Sequence, residues 1–284
     1  MQRALVTLVC GDAYKARFAS RVAPSLRAYA KAHGLSLVVL DRLLDASPLG
    51  RARSPAWQKC LVLRHPKLRA CGQVAWIDAD MLPRPDAPDV FDGVAAETFG
   101  AVDQLQSPTP ETYALAAANI RAYHARHGVT ACADDTPQAF YGRYGFDAFP
   151  DRIVQTGLLV LTPELHGPIL ERAYLEQRRP DSREMLFEMR PVSWHLLTAS
   201  PVTWLDPRFN ALWATALFAH YPFLADPAFK AACGDRPGLF TALKSRCLDA
   251  AYAASYFLHF AGTAGDLDAF SPALPCPPGP QPGT

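Results

Sequence analysis

Short apolar runs alternate with helical segments through the first 80 residues, and this alternation restricts the fold more than any other feature. The predicted strands are 5–10, 35–40 and 74–78, and the predicted helices are 14–33 and 55–65. Gly34 suits a helix C-cap, and Pro55 suits a first helical turn. Continuous apolar runs are typical of parallel strands that are buried on both faces. The order therefore predicts an α/β sheet with right-handed crossovers.

The pattern is less regular after residue 82. Further predicted strands are 99–102, 153–161, 202–205 and 256–260, and further predicted helices are 110–127, 163–178 and 182–198. Pro191 is expected to kink or split the last of these helices. Residues 130–150 are expected to form a functional loop, and the proline-rich residues 271–284 a disordered tail. The elements together predict a mixed, mainly parallel central sheet flanked by helices.

The composition limits the class of protein. Half of the 284 residues are hydrophobic, which is enough for one large domain or two closely packed halves. A net charge of +1 argues against a broad nucleic-acid-binding surface. The seven cysteines have no C-x-x-C spacing, so we expect a reducing cytoplasm and neither a disulfide framework nor a zinc site. The N-terminal apolar run of about seven residues is too short for a membrane span, and no later segment is long enough.

The strand predicted at 74–78 ends in the most informative motif of the chain, Asp78-Ala79-Asp80. Two carboxylates at the mouth of an apolar strand are costly unless a cation pairs with them. A divalent cation that holds a diphosphate would be such a partner, because Mg²⁺ and Mn²⁺ take oxygen ligands and keep positions for water and phosphates. In the structural alternative, Asp80 caps the next turn and Asp78 is solvated.

Other polar residues also lie at predicted strand ends, and an open α/β sheet binds ligands beyond the carboxyl ends of its strands. These residues are Asp12, Asp41, Asp78, Asp80, Asp103 and His259. His259 lies in the apolar segment 256–260, where the ordinary explanation is a hydrogen-bonded core histidine. Alternatively, two carboxylates, one imidazole and phosphate oxygens could complete an octahedral shell around Mn²⁺.

Five segments of the chain resemble, in the same order, motifs of the GT-A glycosyltransferases. They are IDAD, QTGLLVLTPE, FEMRPVSWHLL, WLDPRFN and FLHFAG. The opening ALVTLVCGDAYKARFASRVAPSLRAYAKAHG is similar to the nucleotide-binding start of that family. The resemblance is closest to the metal-dependent retaining enzymes of the glycogenin and bacterial galactosyltransferase type, and it extends over residues 3–262. It implies one GT-A domain at 1–270, with a nucleotide-binding half at 1–103 and an acceptor and sugar half at 104–270.

The resemblance also implies roles for individual residues. The implied metal ligands, for Mn²⁺ or Mg²⁺, are Asp78, Asp80 and His259. The implied nucleotide and donor contacts are Thr7, Tyr14, Lys59, Asp78 and Gly262. The implied catalytic residues are Glu188 beneath the sugar ring, Gln155 facing donor and acceptor, and Asp103 on a donor-sugar hydroxyl.

Most of these residues also have an ordinary structural explanation. In that explanation Thr7 pairs across the sheet, Tyr14 packs at a helix start, and Lys59 and Glu188 are solvated helix charges. For Asp206 and Arg208 we favour a structural turn with an ion pair.

One position departs from the family pattern beside the histidine motif. The family often has a lysine three residues after the glycine of H-x-x-G, and this chain has Gly265 there. Neutralisation of the donor phosphates would then depend on Lys59, the metal, or another base such as Lys244 or Arg246.

A second departure lies beside the implied catalytic carboxylate. The family often follows that carboxylate with glutamine, where this chain has Met189. Glu184 is therefore an alternative to Glu188 for this role.

The resemblance implies transfer of a hexosyl group from a nucleoside-diphosphate sugar, a UDP-sugar, to the hydroxyl of a glycan, lipid or protein, with retention. A cytoplasmic enzyme would meet any membrane-borne acceptor peripherally. The first alternative is a sugar-nucleotide-binding protein of the same fold with little or no turnover. Phosphoryl transfer through an aspartyl nucleophile is disfavoured, because Leu82 stands where that pattern has threonine or valine. An interaction protein that offers the tail as a polyproline ligand is disfavoured, because the tail lacks flanking basic residues.

Overall fold

The computed structural model describes residues 2–270 except 129–133, 135, 144, 147, 178–187, 235 and 237. The strands are β1 (Arg3–Leu8), β2 (Ser36–Leu40), β3 (Gln73–Ile77), β4 (Met81–Pro83), β5 (Phe99–Asp103), β6 (Val154–Leu161), β7 (Val202–Trp204), β8 (Ala211–Leu212) and β9 (Phe257–His259). The α-helices are α1 (Asp12–Arg17), α2 (Ala23–Ala32), α3 (Pro48–Ala52), α4 (Pro66–Arg69), α5 (Pro110–Arg126), α6 (Pro137–Gly142), α7 (Pro163–Glu176), α8 (Met189–Ala199), α9 (Trp213–His220), α10 (Pro227–Ala232) and α11 (Leu239–Ala253). The 3₁₀ helices are Pro55–Arg64, Gln104–Gln106, Pro207–Asn210, Pro222–Ala225 and Ala264–Ala269. The predicted tail at 271–284 and Glu184 lie outside the described residues.

A six-stranded sheet in the order β2-β1-β3-β6-β5-β7 forms the centre of the molecule. β1 is parallel to β2 and β3, and β5 is parallel to β7. β6 is antiparallel to both β3 and β5. The sheet is therefore mixed and mainly parallel, and this prediction is confirmed. Because β6 runs the other way, its first residues lie at the same edge as the last residues of β1, β3 and β5.

Side chains along β1 alternate between two apolar cores, because successive residues of a strand point to opposite faces. Leu5 packs on one face of the sheet in a cluster with Tyr29 of α2. Val6 packs on the other face in a cluster with Trp57 of the 3₁₀ helix Pro55–Arg64. Both faces are covered, which is the physical reason that the central strands are continuous apolar runs in the sequence.

A second, three-stranded sheet in the order β4-β9-β8 follows from the end of β3. β4 begins directly after Asp80 and pairs antiparallel with β9, with Met81 opposite His259. β8 pairs parallel with β9, with Leu212 also opposite His259. This small sheet brings a late segment of the chain next to the end of β3.

Two predicted helices differ from the observed elements. The predicted helix 14–33 is divided into α1, a π-helical turn at Phe18–Val22, and α2. Pro24, in the first turn of α2, has no N–H to donate to the preceding turn, so regular α-helical hydrogen bonding cannot continue through it. The segment predicted as a helix at 55–65 is a 3₁₀ helix over ten residues.

Pro191 does not divide α8, and residues 182–187 of the predicted helix lie outside the described residues. Within the described part of the chain, α8 begins at Met189, so Pro191 lies in the first turn. The N–H that proline lacks has no intrahelical partner in a first turn, so the helix loses no hydrogen bond. The predicted loop at 130–150 contains α6.

The described cysteines are all free thiols: Cys10, Cys60, Cys71, Cys233 and Cys247. Burial raises the pKa of the Cys60 thiol, which therefore stays protonated at neutral pH. In the described part of the chain, none of the helices is both long and apolar enough to cross a membrane.

His166 of α7 gives the stability a pH dependence. Its buried imidazole accepts a hydrogen bond from the Thr162 N–H at Nδ1 (2.7 Å), and its Nε2 lies 3.1 Å from Ser200 Oγ. Burial lowers the pKa of His166 to about 4, so the folded chain holds the ring neutral. The unfolded chain takes up a proton near pH 6.5, so this stability is complete above about pH 6.5 and is lost as the pH falls toward 4.

We therefore expect the free energy of unfolding to fall by about 2 kcal/mol more between pH 7 and 4.5 in the wild type than in His166→Gln. Urea denaturation of both proteins at the two pH values measures this difference. An identical pH dependence in the two proteins would contradict the assignment.

Candidate active site

A cleft of about 500 Å³ opens at the sheet edge where β1 and β3 end and β6 begins. Its lining includes Cys10, Tyr14, Trp76, Asp78, Asp80, Gln155, Thr156, Glu188, His259 and Gly262. These residues come from both ends of the chain and from its middle. The cleft lies beyond the carboxyl ends of parallel strands, where open α/β sheets bind their ligands.

Asp78, Asp80 and His259 converge inside the cleft. One oxygen of each carboxylate and one ring nitrogen of the imidazole all lie within 4.8 Å of one another. His259 Nε2 is 3.3 Å from Asp80 Oδ1 and 3.7 Å from Asp78 Oδ2. The carboxylates follow β3 directly, and the pairing of β4 with β9 brings the imidazole beside them.

Lys59 crosses from the 3₁₀ helix Pro55–Arg64 to the buried side of this group. Its Nζ is 3.1 Å from Asp78 Oδ1 and 2.6 Å from Glu188 Oε1, and it donates to the Thr156 carbonyl at 3.0 Å. Burial alone would lower the pKa of Lys59, but the charges of Asp78 and Glu188 outweigh it and raise the pKa. Lys59 is therefore a buried ammonium rather than a solvated helix residue, and its charge is already paired with two carboxylates.

The carboxylates of the motif are held differently. Burial raises the pKa of Asp78, against the opposing charge of Lys59. Burial would also raise the pKa of Asp80, but its interaction with the neighbouring His259 outweighs burial, and the pKa is lowered. Their side chains keep 26% and 22% of their exposure, so water and substrate can reach both.

The donor set fits a divalent cation. Two carboxylate oxygens and an imidazole nitrogen face one another, and Mn²⁺ and Mg²⁺ sites accept such ligands with phosphates in the remaining positions. The cluster of Asp78, Asp80, Glu188 and Lys59 has three carboxylates for one ammonium, a formal charge of −2. A bound dication would neutralise this charge.

Two of the three predicted catalytic residues line the cleft. Gln155 lies at the start of β6, where its Oε1 accepts the Gly157 N–H at 2.7 Å. Glu188 lies just before α8, where its Oε1 accepts a hydrogen bond from Thr156 Oγ1 at 3.1 Å. Both side chains are buried and held in place by the protein rather than solvated.

Asp103 is brought to the same sheet edge but is not one of the described residues that line the cleft. Its Oδ1 accepts the Leu105 N–H at 3.0 Å, and its Oδ2 is 3.7 Å from Arg152. Burial raises the pKa of Asp103. Its predicted contact with a donor sugar therefore stays a prediction. Asp41 is exposed at the end of β2, also outside the cleft.

Some of the predicted nucleotide contacts line the cleft and others do not. Tyr14 is half exposed and lines the cleft, as does Gly262, whose φ of +69° favours glycine. Thr7 is buried in β1 beside the cleft lining, and its Oγ1 has no hydrogen-bond partner within the described part of the chain. Its predicted contact with the nucleotide stays a prediction.

The alternative phosphate-binding base Lys244 is already paired. Its Nζ contacts Asp266 Oδ1, and Asp266 Oδ2 also accepts the indole N–H of Trp213 at 2.7 Å. Arg246 is exposed on α11 and, with Lys244, is not among the described residues of the cleft lining.

Sequence reasoning missed two residues that contact the metal-ligand group. Trp76 is buried in β3, where its Nε1 donates to Asp78 Oδ1 at 2.7 Å, and it also lines the cleft. Asn210 is fully buried, and its Oδ1 is 2.8 Å from His259 Nδ1. The signal in the sequence for Asn210 was its position at the end of the WLDPRFN motif. In the same motif, Asp206 and Arg208 form the expected turn, with an ion pair at 2.7 Å.

The fold is similar to that of solved glycosyltransferases. The galactosyltransferase LgtC, in complex with donor and acceptor sugar analogues, superposes with a TM-score of 0.50 and 14% identity over 93% of this chain and 94% of its own. A glycosyltransferase involved in the glycosylation of the major capsid of PBCV-1 gives a TM-score of 0.49 and 10% identity over 93% of this chain and 97% of its own. Comparison with protein-family models gives no match, and comparison with curated proteins gives none.

The chain has the GT-A fold, a mixed α/β sheet flanked by helices, which the LgtC structure shares across almost the whole length of both chains. An Asp-x-Asp pair and a histidine meet in the cleft of this fold.

Proposed function

We propose that this chain is a metal-dependent glycosyltransferase that moves a hexose from a nucleoside-diphosphate sugar, a UDP-sugar, to an acceptor hydroxyl. The observation that carries the proposal is the convergence of Asp78, Asp80 and His259 in the cleft at the sheet edge. The GT-A fold supports it, and LgtC, whose structure holds donor and acceptor sugar analogues, has this fold.

Asp78, Asp80 and His259 would hold Mn²⁺ or Mg²⁺. When bound, the cation would supply Lewis-acid stabilisation of the charge that develops on the leaving diphosphate. Lys59 is paired with Asp78 and Glu188, so it holds the carboxylates in place instead of meeting the phosphates. With Gly265 in the position of the family lysine, neutralisation of the diphosphate would rest mainly on the metal site.

The sugar would lie between the metal ligands and the residues at the start of β6 and α8. The sugar ring gains positive charge as its bond to the diphosphate breaks, and the Glu188 carboxylate in the cleft would stabilise that charge. Gln155 would face donor and acceptor. In a retaining reaction the departing phosphate accepts the proton of the acceptor hydroxyl, so no separate side-chain base is required.

The second candidate function is a binding protein that holds a nucleotide sugar and turns it over slowly or not at all. Two features favour it. Gly265 stands where the family often has a lysine, and Met189, which lines the cleft beside Glu188, stands where the family often has glutamine. The two functions share a donor site and differ in turnover.

Thermal stability with nucleoside diphosphates tests the donor site. We expect UDP with Mn²⁺ to raise the unfolding temperature by about 5 °C at concentrations well above Kd, because binding to the folded state adds a few kcal/mol. UDP with a chelator, and Mn²⁺ with ADP or CDP, are the matched controls and should give much smaller shifts. The donor-site proposal fails if no nucleoside diphosphate raises the temperature in the presence of Mn²⁺.

Donor hydrolysis separates the enzyme from the binding protein. The enzyme releases UDP from a UDP-hexose with Mn²⁺ and stops with chelator. A protein that is stabilised by UDP and Mn²⁺ but hydrolyses no UDP-hexose, with or without acceptor sugars, is the binding protein.

A further inference from the structure

Asn210 lies behind His259, on the side of the ring away from the two carboxylates. It ends the 3₁₀ helix Pro207–Asn210 and is followed at once by β8, whose Leu212 is in register with His259 of β9. The Asn210 side chain is fully buried, and its Oδ1 is 2.8 Å from His259 Nδ1. Of the two ring nitrogens, Nε2 alone faces Asp80 and Asp78.

The orientation of the Asn210 amide is determined by backbone groups. Its Nδ2 is 3.3 Å from the backbone carbonyl of Gln155, which can only accept a hydrogen bond. Nδ2 is also 3.3 Å from Gln155 Oε1, and this atom must be the amide oxygen because it accepts the Gly157 N–H at 2.7 Å. Because Asn210 Nδ2 faces two acceptors, its Oδ1 must be the atom that faces His259.

The orientation of the amide decides the tautomer of the imidazole. Asn210 Oδ1 is an acceptor, so the hydrogen must be on His259 Nδ1. A neutral imidazole has one N–H, so Nε2 then has a lone pair, and it faces Asp80 Oδ1 at 3.3 Å. Three lone-pair donors that converge in this way repel one another, and a cation that lies between them removes this repulsion.

Gly157 leaves room for this ring. A Cβ at Gly157 would lie 2.3 Å from His259 Cε1 and 2.7 Å from Nδ1, far inside van der Waals contact. The backbone N–H of Gly157 also donates to Gln155 Oε1. Gly157 therefore leaves space for the His259 ring, and it orients the Gln155 amide that Asn210 contacts.

We propose that Asn210 is a positioning residue that fixes His259 as the Nδ1–H tautomer, so that Nε2 is presented as a ligand to a divalent cation. This inference rests on the metal site of the proposed function. A hydrogen-bond partner on the far nitrogen of a ligand histidine fixes the ring and its tautomer, and its loss typically lowers metal affinity by about 10–100-fold.

The tautomer is tested directly by long-range ¹H–¹⁵N correlation of the His259 ring at about pH 8, where an ordinary histidine is neutral. With Mg²⁺ present, the wild type should show a protonated Nδ1 and an unprotonated Nε2. The opposite tautomer overturns the inference. This measurement needs no variant, and in metal-free protein it still decides the tautomer if the metal site of the proposed function proves wrong.

Three variants connect the tautomer to metal affinity, measured by Mn²⁺ titration with electron paramagnetic resonance. Asn210→Leu keeps similar volume without an acceptor, and we expect a 10–100-fold loss of affinity and loss of the fixed tautomer. Asn210→Asp keeps an acceptor toward Nδ1, so it should retain the tautomer and most of the affinity even where stability falls. Ser107→Ala, which removes only the hydrogen bond from Ser107 Oγ to the Asn210 carbonyl (3.3 Å), should bind like the wild type.

Gly157→Ala provides a second route to the same result. Its new methyl group should displace the ring and lower Mn²⁺ affinity, whereas Gly167→Ala meets only Leu63 Cβ at an ordinary 3.7 Å and should have no effect. Wild-type affinity in both Asn210→Leu and Gly157→Ala overturns the inference. If the wild type itself binds no Mn²⁺, the metal site of the proposed function fails, and the tautomer measurement alone decides the role of Asn210.

Discussion

Asp80→Ala should lower metal-dependent glycosyl transfer by about 10³-fold or more while leaving the fold intact. The variant removes one of two carboxylates that face His259 Nε2, at 3.3 Å, and metal stabilisation of a leaving group contributes several kcal/mol. The Asp80 side chain is partly exposed, and its backbone carbonyl still accepts the Phe260 N–H, so the thermal midpoint should change little. The measurement is UDP release from a UDP-hexose across a Mn²⁺ titration.

Asp41→Ala is the matched control for this prediction. Asp41 also follows a strand of the central sheet, but its side chain is 70% exposed and lies outside the cleft. Its removal should leave turnover and the Mn²⁺ dependence unchanged. Near-normal turnover in Asp80→Ala, at any Mn²⁺ concentration, would refute the assignment of the metal ligands.

Lys59→Met should destabilise the fold by about 3 kcal/mol, because it leaves the buried Glu188 carboxylate and the partly exposed Asp78 carboxylate without their cation. Lys59 Nζ lies 3.1 Å from Asp78 Oδ1 and 2.6 Å from Glu188 Oε1, and only 2% of its side chain is exposed. Methionine keeps most of the volume, so the loss is mainly electrostatic. Urea denaturation at neutral pH without metal measures it.

The double variant Lys59→Met with Glu188→Gln separates charge from packing. Glu188→Gln removes one of the two carboxylates that Lys59→Met leaves without a cation. If the loss of stability comes from these charges, the double variant should recover about half of it. Lys67→Met, at an exposed position of α4, should change stability by less than about 0.5 kcal/mol. A loss below about 1 kcal/mol in Lys59→Met would show that the carboxylates of Asp78 and Glu188 do not require the ammonium.

The sequence predicted the central sheet well, because its signal is local. The runs at 5–10, 35–40 and 74–78 are apolar except for Thr7, Ser36 and the terminal Asp78, and such runs are typical of strands covered on both faces. The Asp78-Ala79-Asp80 motif was recognisable for the same reason, since charge directly after an apolar strand contrasts with its neighbours. The break in the predicted helix 14–33 was less predictable, because it depends on where Pro24 falls within a turn.

Individual side-chain roles were harder to predict. Lys59 lies in a mainly apolar segment, and the sequence alone left its role open between a solvated helix residue and a phosphate contact. The structure instead buries it between Asp78 and Glu188, which are separated from each other by 110 positions of sequence. For Asp103 the sequence correctly identified a strand end, but the side-chain direction depends on a hydrogen bond from Leu105 and on Arg152.

The sequence by itself determined the first strands of the central sheet and the carboxylate pair at the end of β3. The tertiary structure alone decided which distant residues complete that pair. His259 reaches Asp80 because β9 pairs with β4, and Asn210 reaches His259 because β8 pairs with β9. Local apolar patterns predict where strands and helices form, because each residue's burial is reflected in its own side chain. Hydrogen-bond and metal geometry depends on the register between elements, which no single segment encodes.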